Sequence, residues 1–64
     1  MPEVYVYMLA GRTQEQKRIL VKDITHSVVR TLGVAPEAVM VQIIESAKEN
    51  KAKGGVLFSE RPPG

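Results

Sequence analysis

Glu3-Val4-Tyr5-Val6-Tyr7-Met8-Leu9 runs into Ala10-Gly11-Arg12 and then into Thr13-Gln14-Glu15-Gln16. The first stretch repeats every two residues. Val4, Val6 and Met8 fall on one side, and Tyr5, Tyr7 and Leu9 on the other. Both sides can be buried, so this is a strand that expects neighbours above and below. Ala10-Gly11-Arg12 leaves the strand. The next four residues read as a capping box: the Thr13 hydroxyl accepts from the Gln16 amide, and the Gln16 side chain reaches back. The apolar period then changes to that of a helix, with Leu20, Val21, Ile24, Val28 and Leu32 on one stripe. Gly33 follows, where a helix end favours positive φ.

A connector, Val34-Ala35-Pro36-Glu37, leads to a second strand predicted over Ala38–Glu45. Here Val39, Val41 and Ile43 alternate with Met40, Gln42 and Ile44. Residues 46–53 are polar and turn-like. Gly54-Gly55 suits a tight turn before a short apolar piece, Val56-Leu57-Phe58. Residues 60–64, ending Arg61-Pro62-Pro63-Gly64, read as a flexible tail. The fold class is therefore α/β (α+β). It is a βαβ subunit with parallel strands, a right-handed crossover, one main helix and a short C-terminal β-piece. Residues 1–64 make a single domain.

One helix covers one face of a two-stranded sheet, and the other face needs a partner. Length points the same way. A chain of about 60 residues buries only about 60% of its unfolded surface and is marginal alone. Small scaffolds are held by disulfides, a metal or association. This chain of 64 residues has no cysteine and one histidine, yet 44% of it is hydrophobic. Association is the stabiliser left. The net charge is +2, the basic residues are scattered, and only Tyr5, Tyr7 and Phe58 are aromatic. A nucleic-acid surface needs a denser basic patch with stacking residues. No apolar run approaches the roughly 20 residues of a membrane span, and no secretory signal is visible. The expected location is cytoplasmic.

Pro2 stands between Met1 and the first strand. Methionine aminopeptidases act when the second residue is small, and removal of Met1 would turn Pro2 into a free secondary amine. Such an amine titrates near pH 8 before perturbation. Burial among apolar groups or beside cations lowers that value and makes a general base near neutral pH. On its own, a proline in second place is ordinarily a tolerated residue and no more.

An N-terminal proline, a strand ending Leu9-Ala10-Gly11-Arg12-Thr13 and a helix opening Glu15-Gln16-Lys17 together resemble the 4-oxalocrotonate tautomerase family. The second strand ending Ile43-Ile44-Glu45, then Lys53-Gly54-Gly55, continues the resemblance to about Ser59. It implies short βαβ subunits that pair and assemble, here as a homohexamer (a trimer of dimers) in preference to a trimer or dimer. It implies an isomerase that moves a proton between carbons of unsaturated 2-hydroxy or 2-keto acids, without cofactor or metal. Pro2 is then the catalytic base, and Arg12 binds a substrate carboxylate in a pocket shared between subunits.

The residues suit that chemistry. One group that is alternately base and acid carries the proton. A guanidinium binds carboxylate in bidentate fashion and stabilises developing negative charge. Two departures make the site atypical. The family's second-strand arginine corresponds here to Met40, which neither donates nor carries charge. The family's aromatic residue before the glycine pair corresponds to Lys51. That lysine either lowers the Pro2 pKa by like-charge repulsion and replaces the missing cation, or is an exposed turn residue. The substrate-binding candidates are thus Arg12, Lys51 and Met40. A monocarboxylate such as an arylpyruvate enol suits a single arginine better than a dicarboxylate.

Two other functions stay open: a non-catalytic binding or structural member of the fold, and a hydratase- or dehalogenase-like enzyme. The latter needs an acid to activate water, with Glu3 and Glu45 nearest. His26 falls on the polar side of the helix and reads as solvated. Gln42 shares the Met40 face.

Overall fold

The structure is a computed structural model, and residues 1–62 are described here; Pro63 and Gly64, part of the predicted tail, lie outside the described residues. Strand β1 spans Glu3–Leu9, helix α1 Gln14–Leu32 and strand β2 Met40–Ser46. Short strands β3 (Ala52–Lys53) and β4 (Val56–Leu57) follow. β1 and β2 pair in parallel, from Glu3 opposite Met40 to Leu9 opposite Ser46. Backbone bonds extend the ladder at both ends: the Met40 amide donates to the Pro2 carbonyl (3.0 Å), and the Ala10 amide to the Ser46 carbonyl (2.9 Å).

The capping box forms as the sequence predicts. The Gln16 amide donates to Thr13 Oγ1 (3.1 Å), and the Thr13 amide to Gln16 Oε1 (3.0 Å). The helix closes at Gly33, left-handed at φ 69°, whose amide donates to the Val29 carbonyl. The second strand starts two residues later than its alternation suggests. The amides of Ala38 and Val39 are drawn instead into a 3-10 turn over Pro36–Ala38, bonding the carbonyls of Ala35 and Pro36. Lys48–Asn50 form another 3-10 turn, inside the segment read as polar turn. Gly54 and Gly55, at φ 62° and 81°, turn β3 back into antiparallel β4. Two successive positive φ values match the strand twist, and glycine adopts them without strain. Arg61, assigned to the tail by sequence, donates to the Lys53 carbonyl (2.7 Å) and lies 5.5 Å from the Phe58 ring centroid.

The apolar stripe of α1 lies over one sheet face. Val4, Val6, Met8, Val41 and Ile43 are half-buried there, as are Leu20, Val21, Ile24 and Val28 of the helix. Leu32, the last residue of the stripe, is 59% exposed. The helix is longer than the sheet it covers: nineteen residues at about 1.5 Å each exceed seven strand residues at about 3.3 Å. Lys17 on the helix pairs with Glu45 on β2 at 2.7 Å and ties the two layers together.

The opposite face carries Glu3, Tyr5, Tyr7 and Leu9 beside Met40, Gln42 and Ile44, and among the described residues no element covers it. Tyr7 is 72% exposed and Met40 52%. None of the described residues is fully buried. The accessible surface is 5038 Å², against roughly 4,100 Å² for a compact 7.1 kDa monomer. The radius of gyration is 15.0 Å, against about 11 Å for a compact domain of this length. The single chain is an open layer with no interior of its own.

Thr13→Ala removes the acceptor for the Gln16 amide. It should lower stability by about 1 kcal/mol, read by urea denaturation at fixed protein concentration. Thr13→Ser should restore most of the loss. Equal losses in both variants would show that the cap contributes nothing measurable.

Candidate active site

The residues singled out from sequence fall into two groups at opposite ends of the sheet. Because β1 and β2 are parallel, their first residues share one end and their last residues the other. At the first end stand Pro2 and Met40. Pro2 is half-buried and held by its carbonyl, which accepts from the Met40 amide. That bond fixes the residue without using its nitrogen. Met40 is on the uncovered face, beside a shallow cavity lined by Glu3, Val4, Tyr5, Met40, Val41 and Gln42.

Glu3 is engaged there. The Tyr5 hydroxyl donates to Glu3 Oε1 at 2.6 Å. This hydrogen bond, then the negative charge of Glu3 and a little desolvation, hold the tyrosine proton on and raise its pKa above the ordinary value. The second acidic candidate, Glu45, is engaged with Lys17. Each acidic candidate thus has one carboxylate oxygen engaged within the chain. His26 is exposed on the helix, as its position on the polar side predicts.

At the other end stands Arg12, exposed, in the segment between β1 and α1. It lines two adjoining cavities. One, of about 240 Å³, is bounded by Met8, Arg12, Gln16, Lys17 and Leu20. The other, of about 700 Å³, is bounded by Met8, Leu9, Ala10, Gly11, Arg12 and Lys48. Lys51 lines neither. It is exposed after the 3-10 turn, and its carbonyl accepts from the Phe58 amide at 2.8 Å.

Strand β1 separates the two groups. From Glu3 to Leu9 is about 20 Å of extended backbone, and a small acid cannot span it. Pro2 and Arg12 of one chain therefore do not serve the same substrate molecule; a site using both draws them from two chains.

Sequence reading missed Lys48 beside Arg12, and the register could have revealed it. With Leu9 opposite Ser46, residues two or three past each strand end emerge together. The Tyr5–Glu3 bond was also missed, although both residues lie on one strand face, two apart. Among the described residues, no three His, Cys, Asp or Glu side chains gather as a metal site, and no helix is long and apolar enough to cross a membrane.

Comparison with known proteins bears on the chain as a whole. The 2-hydroxymuconate tautomerase of Bacillus subtilis is 45% identical over 60 residues, covering 94% of this chain and 97% of that one. The crystal structure of a 4-oxalocrotonate tautomerase homologue superposes with a TM-score of 0.91 at 40% identity, covering 98% of this chain and all of the other. A heterohexameric 4-oxalocrotonate tautomerase from Chloroflexus aurantiacus superposes with a TM-score of 0.84 at 27% identity, covering 94% and 97%. Residues 2–61 match the family described as Tautomerase enzyme. A match that begins at the proline heading β1 and ends at the arginine closing the hairpin makes this chain a member of the tautomerase family of enzymes.

Proposed function

We propose that the protein isomerises a small enolisable unsaturated 2-hydroxy or 2-keto acid, with the amino-terminal Pro2 as base and then acid. The observation that carries this reading is the position of Pro2. It is half-buried at the head of β1 and anchored through its carbonyl, so removal of Met1 would free its nitrogen as a secondary amine without disturbing that anchor. Met1 is 82% exposed, which suits its enzymatic removal. In the proposed cycle the neutral Pro2 amine takes a proton from the dienol, and the resulting ammonium returns it at another carbon. Arg12 of a neighbouring subunit holds a substrate carboxylate through its guanidinium fork.

Assembly follows from the same geometry. The uncovered face of Tyr5, Tyr7, Met40 and Ile44 needs a cover, and the Pro2 and Arg12 ends need a second chain. We propose a homohexamer, the size of the hexameric relative from Chloroflexus aurantiacus. Light scattering coupled to size exclusion should report a mass several times 7.1 kDa. A folded monomer at micromolar concentration would refute both the packing argument and the shared site.

The base is tested by two measurements on one preparation. Intact mass should show Met1 absent. Pro2→Ala should then lower turnover of an enolisable acid by 10²-fold or more, the usual scale for a general base. A population retaining Met1, or an active Pro2→Ala variant, excludes proline catalysis.

Met40 governs which acid is turned over well. A thioether beside Pro2 cannot stabilise charge on the substrate 2-oxygen, and one such donor is typically worth about 3–4 kcal/mol. Wild type should therefore turn over 2-hydroxymuconate poorly, and a monocarboxylate enol relatively better. Met40→Arg should raise kcat/KM on 2-hydroxymuconate by roughly tenfold, since a grafted group seldom recovers the whole effect. Rapid wild-type turnover with no gain from Met40→Arg would mean that another cation supplies the charge. Lys51 of a neighbouring subunit is the alternative source.

A further inference from the structure

We infer that Lys48 acts with Arg12 as a two-cation clamp for the substrate carboxylate. This rests on the reading of the protein as an enzyme for small unsaturated acids, and it assigns the binding end of that site. The first observation is placement. The ladder ends with Leu9 opposite Ser46, and the Ala10 amide still bonds the Ser46 carbonyl. The chain segments leaving the two strands thus set out side by side. Arg12 lies three residues past one strand end and Lys48 two past the other, and both line the cavity of about 700 Å³. That volume is of the size that small-molecule sites occupy.

The second observation is charge. Of the cations lining the cavities near this end of the sheet, two are already neutralised. Lys17 is paired with Glu45, and Arg18 with Glu15. Arg12 and Lys48 have no ion-pair partner among the described residues, and no acidic side chain lines the cavity they share. Two like charges on one concave surface repel each other, and an anion between them turns repulsion into attraction.

The third observation is the rest of the wall. Met8 and Leu9 give it an apolar side that suits a hydrocarbon chain, and Ala10 and Gly11 add only backbone and a methyl group. The two cations contribute differently. The planar fork of Arg12 matches both oxygens of a carboxylate, whereas the ammonium of Lys48 is a compact point charge that takes a remaining lone pair. Charge recognition is therefore concentrated at the Arg12 end, while the Met40 end offers none. The clamp specifies an acid held through its carboxylate, with no cation required at the Met40 end.

The test uses sorbate, a six-carbon unsaturated monocarboxylate with no enolisable hydroxyl, and its neutral amide. Both are titrated by NMR into the assembled Pro2→Ala protein, with the Gly11 and Lys48 amides as reporters. Sorbate should shift both amides. Adding Lys48→Met should weaken sorbate binding about tenfold, the scale of one charge-assisted hydrogen bond. Lys48→Arg should recover most of that loss, and the amide should bind no differently in any variant. Sorbate affinity unchanged by Lys48→Met, an equal effect on the neutral amide, loss carried by Lys51→Met instead, or no sorbate binding at all would each overturn the clamp. Because the titration needs no turnover, it is independent of proline catalysis. Full activity in Pro2→Ala would sink the proton-transfer reading and leave the clamp to be judged on sorbate alone.

Discussion

The parallel pairing of β1 with β2 sets every other feature of this chain. Parallel neighbours cannot be joined by a hairpin, so the chain must travel back along its own length between them. Helix α1 makes that journey and covers one face as it does so. The second face is left bare by the described elements, since the residues after β2 form a separate two-stranded hairpin. The same pairing aligns Pro2 with Met40 at one end and brings the segments after Leu9 and Ser46 together at the other. The bare face and the two-ended distribution of functional groups are thus one constraint seen twice. A subunit made this way is incomplete as a folded body and, under the proposed function, as a site.

Much of this was legible in the sequence. The alternation in Glu3–Leu9, the capping box at Thr13 and the apolar stripe on α1 are local patterns, and each forms as read. Local signals work in these three segments because their local and tertiary preferences agree. Where the reading slipped, a short-range competitor won. Ala38 and Val39 alternate like strand residues, but their amides close a turn begun at Ala35 and Pro36. Leu32 continues the helical stripe and still stands exposed, because the helix outruns the sheet. Arg61 looked like part of a tail, yet it reaches the Lys53 carbonyl and the Phe58 ring.

The site was legible one residue at a time and not as an arrangement. Pro2, Arg12 and Met40 are conspicuous by position and chemical type. Their separation along β1 shows only when strand length and register are put together. Lys48 was invisible because it sits in a polar segment where lysine is commonplace. Its meaning comes from Arg12, thirty-six positions earlier in sequence, and register is what joins them. Lys17 is the instructive contrast. It is also a lysine next to Arg12, lining the smaller of the two cavities, but Glu45 takes up its charge. Identity and proximity alone would rank the two lysines equally. The ion-pair inventory separates them.

That contrast also bears on why the layers are pinned where they are. A partly exposed pair such as Lys17–Glu45 contributes at most about 1 kcal/mol, so its worth in stability is small. Its geometric effect is larger. It joins the first turns of α1 to the last turn of the ladder on β2, where the segment carrying Arg12 must be held steady against the segment carrying Lys48. A carboxylate clamp built from two separate connectors works only if those connectors keep a fixed spacing. Here the Ala10 amide bonds the Ser46 carbonyl where the two connectors part, and the helix that follows Arg12 is tied to β2 through the Lys17–Glu45 pair. In the proposed clamp the long side chains adjust to the anion, while the ladder between β1 and β2 sets the separation of the backbones that carry them.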